Sequence, residues 1–207
     1  VMTWFKNHVN NLQIFKNPSP LPRRCEVCAE HLDCTLLKCT VCSTIIHAGC
    51  YGLDEDTDDD DWKCARCSWA ASNNLGRRGL CQKKCKVCPS NSGAKRMDDN
   101  GEDWAHVSCA LWIPELSFGD DDRLEPVMGF EDIPQDRFSL RCEECGLIDG
   151  ACIQCNDAEC RIGFHVSCAR NQALTIILEE GQGGETLLVT YCREHSIVRK
   201  RTCVGVD

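Results

Sequence analysis

The stretch "CSTIIHAGCYGLDEDTDDDDWKC", Cys42 to Cys64, decides how this chain is read. It carries Cys42, His47, Cys50 and Cys64 at intervals that suit metal ligands, and seven of the eight residues from Asp54 to Asp61 are acidic. Such a run of like charge repels itself and does nothing for folding. The thiols ask for a metal, and the acids ask for a positively charged partner.

Working outward, cysteine supplies 20 of the 207 residues, which inflates the hydrophobic count and leaves little Leu, Ile, Val and Phe for a large core. A domain short of apolar mass needs disulfides or metal as staples. Spacing chooses between them. The cysteines and histidines fall into ten pairs: Cys25/Cys28, Cys39/Cys42, His47/Cys50, Cys64/Cys67, Cys85/Cys88, His106/Cys109, Cys142/Cys145, Cys155/Cys160, His165/Cys168 and Cys192/His195. Nine of the ten have two residues between their members. That interval lets a tight turn aim two ligand atoms at one cation, and two pairs complete the tetrahedron of a closed structural zinc site. Disulfides have no use for histidine, yet four of the slots hold it. Twenty ligands make five zinc ions, and thiolates in that number indicate a reducing compartment, cytosol or nucleus.

Cys34, Cys81, Cys152, Cys203, His8 and His31 are left over and are read as side chains without metal. Cys152 competes for a place because Cys152/Cys155 also has the two-residue interval. Cys42 to His47 and Cys160 to His165 are equally far apart along the chain, so Cys160 takes the place of Cys42 and Cys152 is the spare. No apolar run approaches membrane length, and the first residues lack the basic-then-apolar order of a secretory signal. Formal charge is -9 with every cysteine counted neutral. Five zinc sites built from these thiolates bring the metallated chain to about minus fifteen, which favours a cationic partner.

Composition divides the chain into six parts. Residues 1–22 carry Trp4, Phe5, Val9, Leu12, Ile14 and Phe15 before "NPSPLP", and read as a short helix and linker. A first eight-ligand module occupies 23–69, a basic linker 70–82, and a single-zinc unit with a connector 83–135. A second eight-ligand module occupies 136–198, and a basic tail 199–207 ends the chain. Repetition shows in the letters: "HVSCA" occurs at His106–Ala110 and at His165–Ala169. The long gap from Cys50 to Cys64 favours crossed sharing of ligands, because the fourth pair must return across the module. The expected sets are Cys25, Cys28, His47, Cys50 and Cys39, Cys42, Cys64, Cys67 in the first module. Cys85, Cys88, His106 and Cys109 hold the single ion. Cys142, Cys145, His165, Cys168 and Cys155, Cys160, Cys192, His195 serve the second module.

With His in the fifth ligand place and Trp62 two residues before the seventh, the first module resembles a plant homeodomain (PHD) finger. A RING finger has His in the fourth place, where this chain has Cys42. The segments "WAHVSCALWIPELSF", "LEPVMGF", "IPQDRFSLRCEEC", "GACIQC" and "FHVSCAR" are similar to the zinc knuckle and second finger called the extended PHD. Together they resemble the PHD, knuckle, extended-PHD module of Jade and bromodomain-PHD-finger scaffolds, and the extended part is similar to that of trithorax-type methyltransferases. The resemblance implies a small zinc-stabilised α+β fold, two cross-brace PHD fingers joined by a single-zinc knuckle. It also implies a nuclear, non-enzymatic chromatin reader whose first finger takes the amino terminus of histone H3 as an added strand. The knuckle and extended finger would then contact DNA or more of the tail.

The residues are compatible with that chemistry. "TLLKC", Thr35 to Cys39, is a short apolar segment where an exposed strand edge can lie, with Leu36, Leu37 and Lys38 on it. Glu30 and Asp33 are placed to receive a lysine ammonium, Asp59, Asp60 and Asp61 to steer a basic tail, and carbonyls beside Trp62 to take its terminus. Methyl-lysine needs an aromatic cage, and Ala29 to Ile46 contains no Phe, Tyr or Trp, so the lysine preferred is unmethylated. Two departures from the family pattern stand out: Thr40 replaces an acid common after the third ligand, and aspartates replace the usual Pro and Gly before the Trp. For DNA the segment Gly76 to Arg96 offers Arg77, Arg78, Lys83, Lys84, Lys86, Lys95 and Arg96 without one acid. The competing readings are a protein-interaction scaffold presenting surfaces such as "LWIPELSF" to other subunits of a chromatin-modifying complex, and a RING-like ubiquitin ligase.

Overall fold

Ligand pairs two residues apart force tight turns, and the segments between them are too short for anything but small hairpins and brief helices. The computed structural model describes residues 24–28, 36–58, 60–76, 83–180 and 186–203. Its sheets are five antiparallel pairs of two strands each among those residues. Among the described residues no helix is long and apolar enough to cross a membrane. Residues 1–22, with the helix expected there, lie outside the described residues, as do Glu30, Asp33, Asp59, Arg77 and Arg78.

Two compact units divide the chain between Ile133 and Pro134. The first finger and the knuckle, which composition separates at the basic linker, share one unit. This unit contains β1 (Leu36–Lys38), β2 (Ile45–His47), α1 (Ala65–Ser72), β3 (Lys95–Met97), β4 (Trp104–His106), α2 (Val107–Trp112), β5 (Ser117–Asp120) and β6 (Glu125–Met128). Strand β1 pairs with β2, β3 with β4 and β5 with β6. Its largest wholly buried side chains are Trp104, Tyr51, Lys95, Leu37, Ile46, Ile113 and Leu124. Trp69 meets Trp104 edge to face at 6.1 Å, and Tyr51 meets Trp62 in the same way at 5.7 Å, a geometry that suits the ring quadrupoles. Gly52, at φ 65°, is required because a Cβ there would lie 2.2 Å from the carbonyl oxygen of Arg123.

The second unit contains α3 (Gln135–Ser139), β7 (Ile153–Gln154), β8 (Gly163–Phe164), α4 (Val166–Asn171), β9 (Ile176–Glu180), β10 (Thr186–Thr190) and α5 (Arg193–Cys203). Phe164, Val166, Ala169, Leu174, Ile176, Val189 and Tyr191 are buried there. The "HVSCA" repeat has a structural meaning. His106 and His165 are extended residues at φ,ψ of -62°,141° and -71°,146°, each standing immediately before a helix. Helical rise then brings the cysteine three residues on under the imidazole, so one strand-to-helix corner delivers two ligands.

The stretch "LWIPELSF" belongs to the first unit, where Trp112, Ile113 and Leu116 are buried. Those three apolar side chains are used for packing within the unit, while Pro114 and Ser117 of the same stretch are exposed.

Candidate metal centres and peptide edge

Five groups of four ligand atoms come together, in the crossed sets: Cys25, Cys28, His47, Cys50; Cys39, Cys42, Cys64, Cys67; Cys85, Cys88, His106, Cys109; Cys142, Cys145, His165, Cys168; and Cys155, Cys160, Cys192, His195. Within each group the atoms lie within 4.8 Å of one another. A tetrahedral zinc ion with Zn–S near 2.3 Å sets its sulfurs about 3.8 Å apart and sulfur from imidazole nitrogen about 3.5 Å apart. The sulfurs of Cys42 and Cys64 are 3.6 Å apart, and those of Cys160 and Cys192 are 3.9 Å apart. Nδ1 of the histidines stands 3.4 Å from Cys28, 3.2 Å from Cys88, 3.5 Å from Cys145 and 3.3 Å from Cys155. These are edges of a metal tetrahedron and far longer than the bond of about 2.05 Å in a disulfide. The described cysteines are free thiols.

The surroundings favour charged sulfur. Backbone amides of His47, Cys64 and His165 each donate to a ligand sulfur, of Cys25, Cys39 and Cys142, at 3.4 Å. Nε2 of His106 reaches the Ser92 carbonyl at 2.5 Å, which fixes the proton there and leaves Nδ1 as the ligand atom. Sharing protons only among themselves, the sulfurs divide. Hydrogen bonds with Cys39 and Cys64 pull Cys42 far below the usual thiol range, and the same contacts with Cys39 and Cys42, joined by burial, push Cys64 far above it. A divalent cation removes that conflict by letting every thiol ionise. All five sets offer four ligands, the closed coordination of structural zinc with no place left for a reacting water.

Cys152 is outside every group. It is wholly buried, its thiol points at the Leu140 carbonyl, and burial pushes it up to about 12.

The candidate peptide edge lies on β1. Cys39 donates its amide to the Thr44 carbonyl at 2.8 Å, so Cys39 and Thr44 form a hydrogen-bonded pair of the β1–β2 ladder. Antiparallel pairs alternate, which makes Leu37 and Ile46 the next bonded pair and turns the backbone groups of Leu36, Lys38 and Thr40 outward. The Thr40 amide is taken by the Trp62 carbonyl at 3.1 Å, and the Thr40 hydroxyl bonds the same oxygen at 3.3 Å. Backbone groups of Leu36 and Lys38 on that side meet no partner among the described residues. The outer side of β2 is closed, because Glu26 donates to the Ile45 carbonyl at 2.7 Å and the His47 amide bonds the Cys25 sulfur. Among the described residues, then, the open edge of this hairpin is that of β1.

With this geometry in hand, comparison with known proteins assigns the family. The PHD-zinc-finger like domain family matches residues 83–195, more than half of the 207 residues, and the PHD-finger family matches residues 33–68. This chain belongs to the PHD-zinc-finger like family. It is 34% identical over 194 residues to the histone H3-lysine(4) N-trimethyltransferase ATX1 of Arabidopsis thaliana, covering 89% of this chain and 17% of that protein. With the E3 ubiquitin-protein ligase Jade-2 of Homo sapiens it shares 35% identity over 158 residues, 76% of this chain and 19% of the relative. A crystal structure of the zebrafish PHF14-PZP superposes with a TM-score of 0.62 at 29% identity, covering 86% of this chain and 93% of that one. Among the curated relatives it matches, the chain spans from 5% to 30% of their length. It is a PHD finger, knuckle and extended PHD finger of the kind found in chromatin regulators.

Of the side chains expected at the peptide edge of the first PHD finger, Leu36 is half-buried, Lys38, Asp60 and Asp61 are exposed, and Leu37 is 1% exposed. Leu37 therefore serves packing, its backbone turned to β2. Trp62 is also buried and contributes its carbonyl rather than its ring. In the knuckle, Lys84 is exposed, Lys83 lies over the Trp69 ring at 4.4 Å, and Lys86 is paired with Asp103 and sits over Phe130. Lys95 and Arg96 leave the candidate phosphate contacts, being 1% and 6% exposed. The Lys95 ammonium donates to the Asn91 carbonyl at 2.6 Å, and burial lowers it to about 8. The Arg96 guanidinium is spent on Glu125 and on the carbonyls of Tyr51 and Arg123. A run of basic letters on a strand alternates between faces and cannot all point to solvent. Sequence reasoning missed the Arg96–Tyr51 clasp, for which no local signal exists: the partners are 45 residues apart.

Proposed function

We propose that the first PHD finger reads the amino-terminal tail of histone H3 by adding it as a strand to the outer edge of β1. The observation that carries the reading is the pair of outward backbone sets of Leu36 and Lys38, which meet no partner among the described residues and end at Thr40, where the Trp62 carbonyl closes the edge. Main-chain hydrogen bonds supply affinity in such a mode, and neighbouring side chains supply selection. Exposed Asp54, Glu55, Asp56, Asp58, Asp60 and Asp61 hold negative charge in the same finger, which attracts a tail that starts with an ammonium group and is rich in lysine and arginine. With no aromatic ring between Ala29 and Ile46, the tail lysine at its fourth position is taken unmethylated. The knuckle adds phosphate contact through Lys83 and Lys84, with Arg77 and Arg78 of the preceding linker. The host protein works in the nucleus.

Calorimetry with histone H3 tail peptides tests the reading. The unmodified peptide binds, trimethylation of the fourth-position lysine weakens it about tenfold or more, and acetylation of the amino terminus does the same. Tighter binding of the trimethylated form, or indifference to acetylation, overturns it. A ubiquitin-ligase role takes its support from the name of Jade-2, of which this chain spans 19%. A ubiquitin-transfer assay with the purified chain separates that role from reading.

A further inference from the structure

The two PHD fingers share a ladder, so the edge of the second can be compared with that of the first residue by residue. In the second finger Cys155 donates to the Ile162 carbonyl at 3.0 Å, as Cys39 does to Thr44 in the first. Alternation then turns the backbone groups of Cys152, Gln154 and Asn156 outward on β7, matching Leu36, Lys38 and Thr40 on β1. The terminal position is closed alike in both. Asn156 donates its amide to the Thr190 carbonyl at 2.8 Å, as Thr40 does to Trp62.

The remaining positions differ. The Cys152 amide donates to the Arg137 carbonyl at 2.9 Å, and the Arg137 guanidinium donates back to the Cys152 carbonyl at 3.2 Å. At the next position the Thr190 hydroxyl donates to the Gln154 carbonyl at 2.8 Å. The Gln154 amide and the Asn156 carbonyl are left without a partner among the described residues, and one donor and one acceptor on separate residues, each beside a group already taken, cannot sustain a ladder of alternating donors and acceptors. All of these contacts lie within the second unit.

We infer that the second PHD finger carries a built-in occupant of its strand edge: α3, through Arg137, fills the place that a tail peptide takes on the first finger, and Thr190 seals the rest. Between these two matching edges, strand addition is thereby restricted to β1, one tail segment for the two fingers, and whatever the second unit binds it binds elsewhere than on β7. The restriction to one segment rests on the reading of β1 as a tail-binding edge; the occupancy of β7 stands without it.

Amide hydrogen exchange on the intact zinc-loaded chain, with and without unmodified histone H3 tail peptide, tests both separately. In the free chain the Cys152 and Asn156 amides exchange slowly while the Leu36 and Lys38 amides exchange fast, by about tenfold or more between the sets. Saturating peptide slows Leu36 and Lys38 and leaves Cys152 and Asn156 as they were, with one peptide bound per chain. Fast exchange at Cys152 in the free chain overturns the inference even where peptide binds β1. Failure of any peptide to bind overturns the tail reading, while slow exchange at Cys152 still upholds the occupied edge. Arg137→Ala keeps five zinc ions per chain and keeps the backbone carbonyl that the Cys152 amide donates to, so exchange at Cys152 quickens only where the guanidinium bond to the Cys152 carbonyl holds α3 on the edge, and an unchanged rate denies the Arg137 side chain its part. Where Arg137→Ala fails to fold, Thr190→Val supplies a second check, since the Asn156 amide is held by the Thr190 backbone carbonyl and stays slow in it, and fast exchange there overturns the sealed end of the edge.

Discussion

The guanidinium of Arg96 lies 3.9 Å from the centre of the Tyr51 ring, and the same group holds the Tyr51 carbonyl. Arg96 belongs to the knuckle and Tyr51 to the first PHD finger. The Tyr51 hydroxyl completes the grip, donating to the Lys95 carbonyl at 2.7 Å and accepting from the Ala65 amide at 3.1 Å. A buried carbonyl that loses its donor costs about 1–3 kcal/mol, and lost stacking adds to it. Arg96→Ala therefore destabilises the first unit by about 2–4 kcal/mol. Thermal unfolding of the zinc-loaded chain checks this, with Arg96→Lys rescuing little because it offers neither the planar stack nor two forked donors.

Metal removal has a larger effect. With so little apolar area in either unit, zinc supplies what a core would, roughly 10–16 kcal/mol for a structural site. Elemental analysis gives five zinc ions per chain, and a chelator in excess unfolds both units, read as loss of dispersion in the amide spectrum. Replacing one ligand, as in Cys109→Ser, removes one ion and unfolds the first unit while the second unit keeps its spectrum.

The ligand sets were legible because metal geometry is local in sequence: a pair two residues apart can only aim at one point, and the Cys42–His47 and Cys160–His165 spacing ruled Cys152 out. The strand edge was legible too, since "TLLKC" is the one apolar run ahead of the second ligand pair. What sequence could not give was the long-range clasp. Lys95 and Arg96 read as part of a solvated basic island, but their strand pairs with β4 and packs inward, where only Asn91, Tyr51, Arg123 and Glu125 show what the charges are for. The closed edge of β7 was equally hidden, because Arg137 and Thr190 come from opposite sides of the ligand motifs.

Lys95 gives a pH signature. Burial, with the nearby Arg66 charge second, lowers its ammonium to about 8 from 10.5. A lysine whose charged form is disfavoured on folding reduces stability fully below the lower value and is relieved as pH rises from there to the unfolded value. Stability of the first unit thus rises between about pH 8 and pH 10.5 through this group. In Lys95→Met that rise is reduced and the unit is more stable at pH 7; denaturant unfolding at several pH values reads the difference.

The phosphate contact proposed for the knuckle depends on what Lys83, Lys84 and Lys86 have left to give. Lys86 already faces Asp103 and Lys83 is drawn over Trp69, so Lys84 is the freest of the three. Lys84→Glu with Arg77→Glu and Arg78→Glu lowers DNA affinity and flattens its salt dependence by about one unit of slope for each phosphate no longer neutralised. Lys86→Glu alone changes little. Fluorescence anisotropy with a duplex of arbitrary sequence across salt concentrations measures both.

If the first finger takes the tail as proposed, the acidic loop is expected to act on encounter more than on residence. Asp61 is partly neutralised by Lys63 at 3.0 Å, and Asp58 accepts the Asp60 amide at 3.0 Å, which leaves the Asp60 carboxylate the freer charge. Exposed charges speed association of an opposite partner within a Debye length of about 8 Å at physiological salt and add little to the bound state. Asp56→Asn combined with Asp60→Asn therefore slows association of the tail peptide severalfold at low salt, while dissociation is unchanged and the difference fades at high salt. Asp61→Asn has a smaller effect because its ammonium partner is released at the same time. Stopped-flow binding at two ionic strengths reads these rates, and an effect confined to dissociation would place the acids in contact with the bound peptide instead.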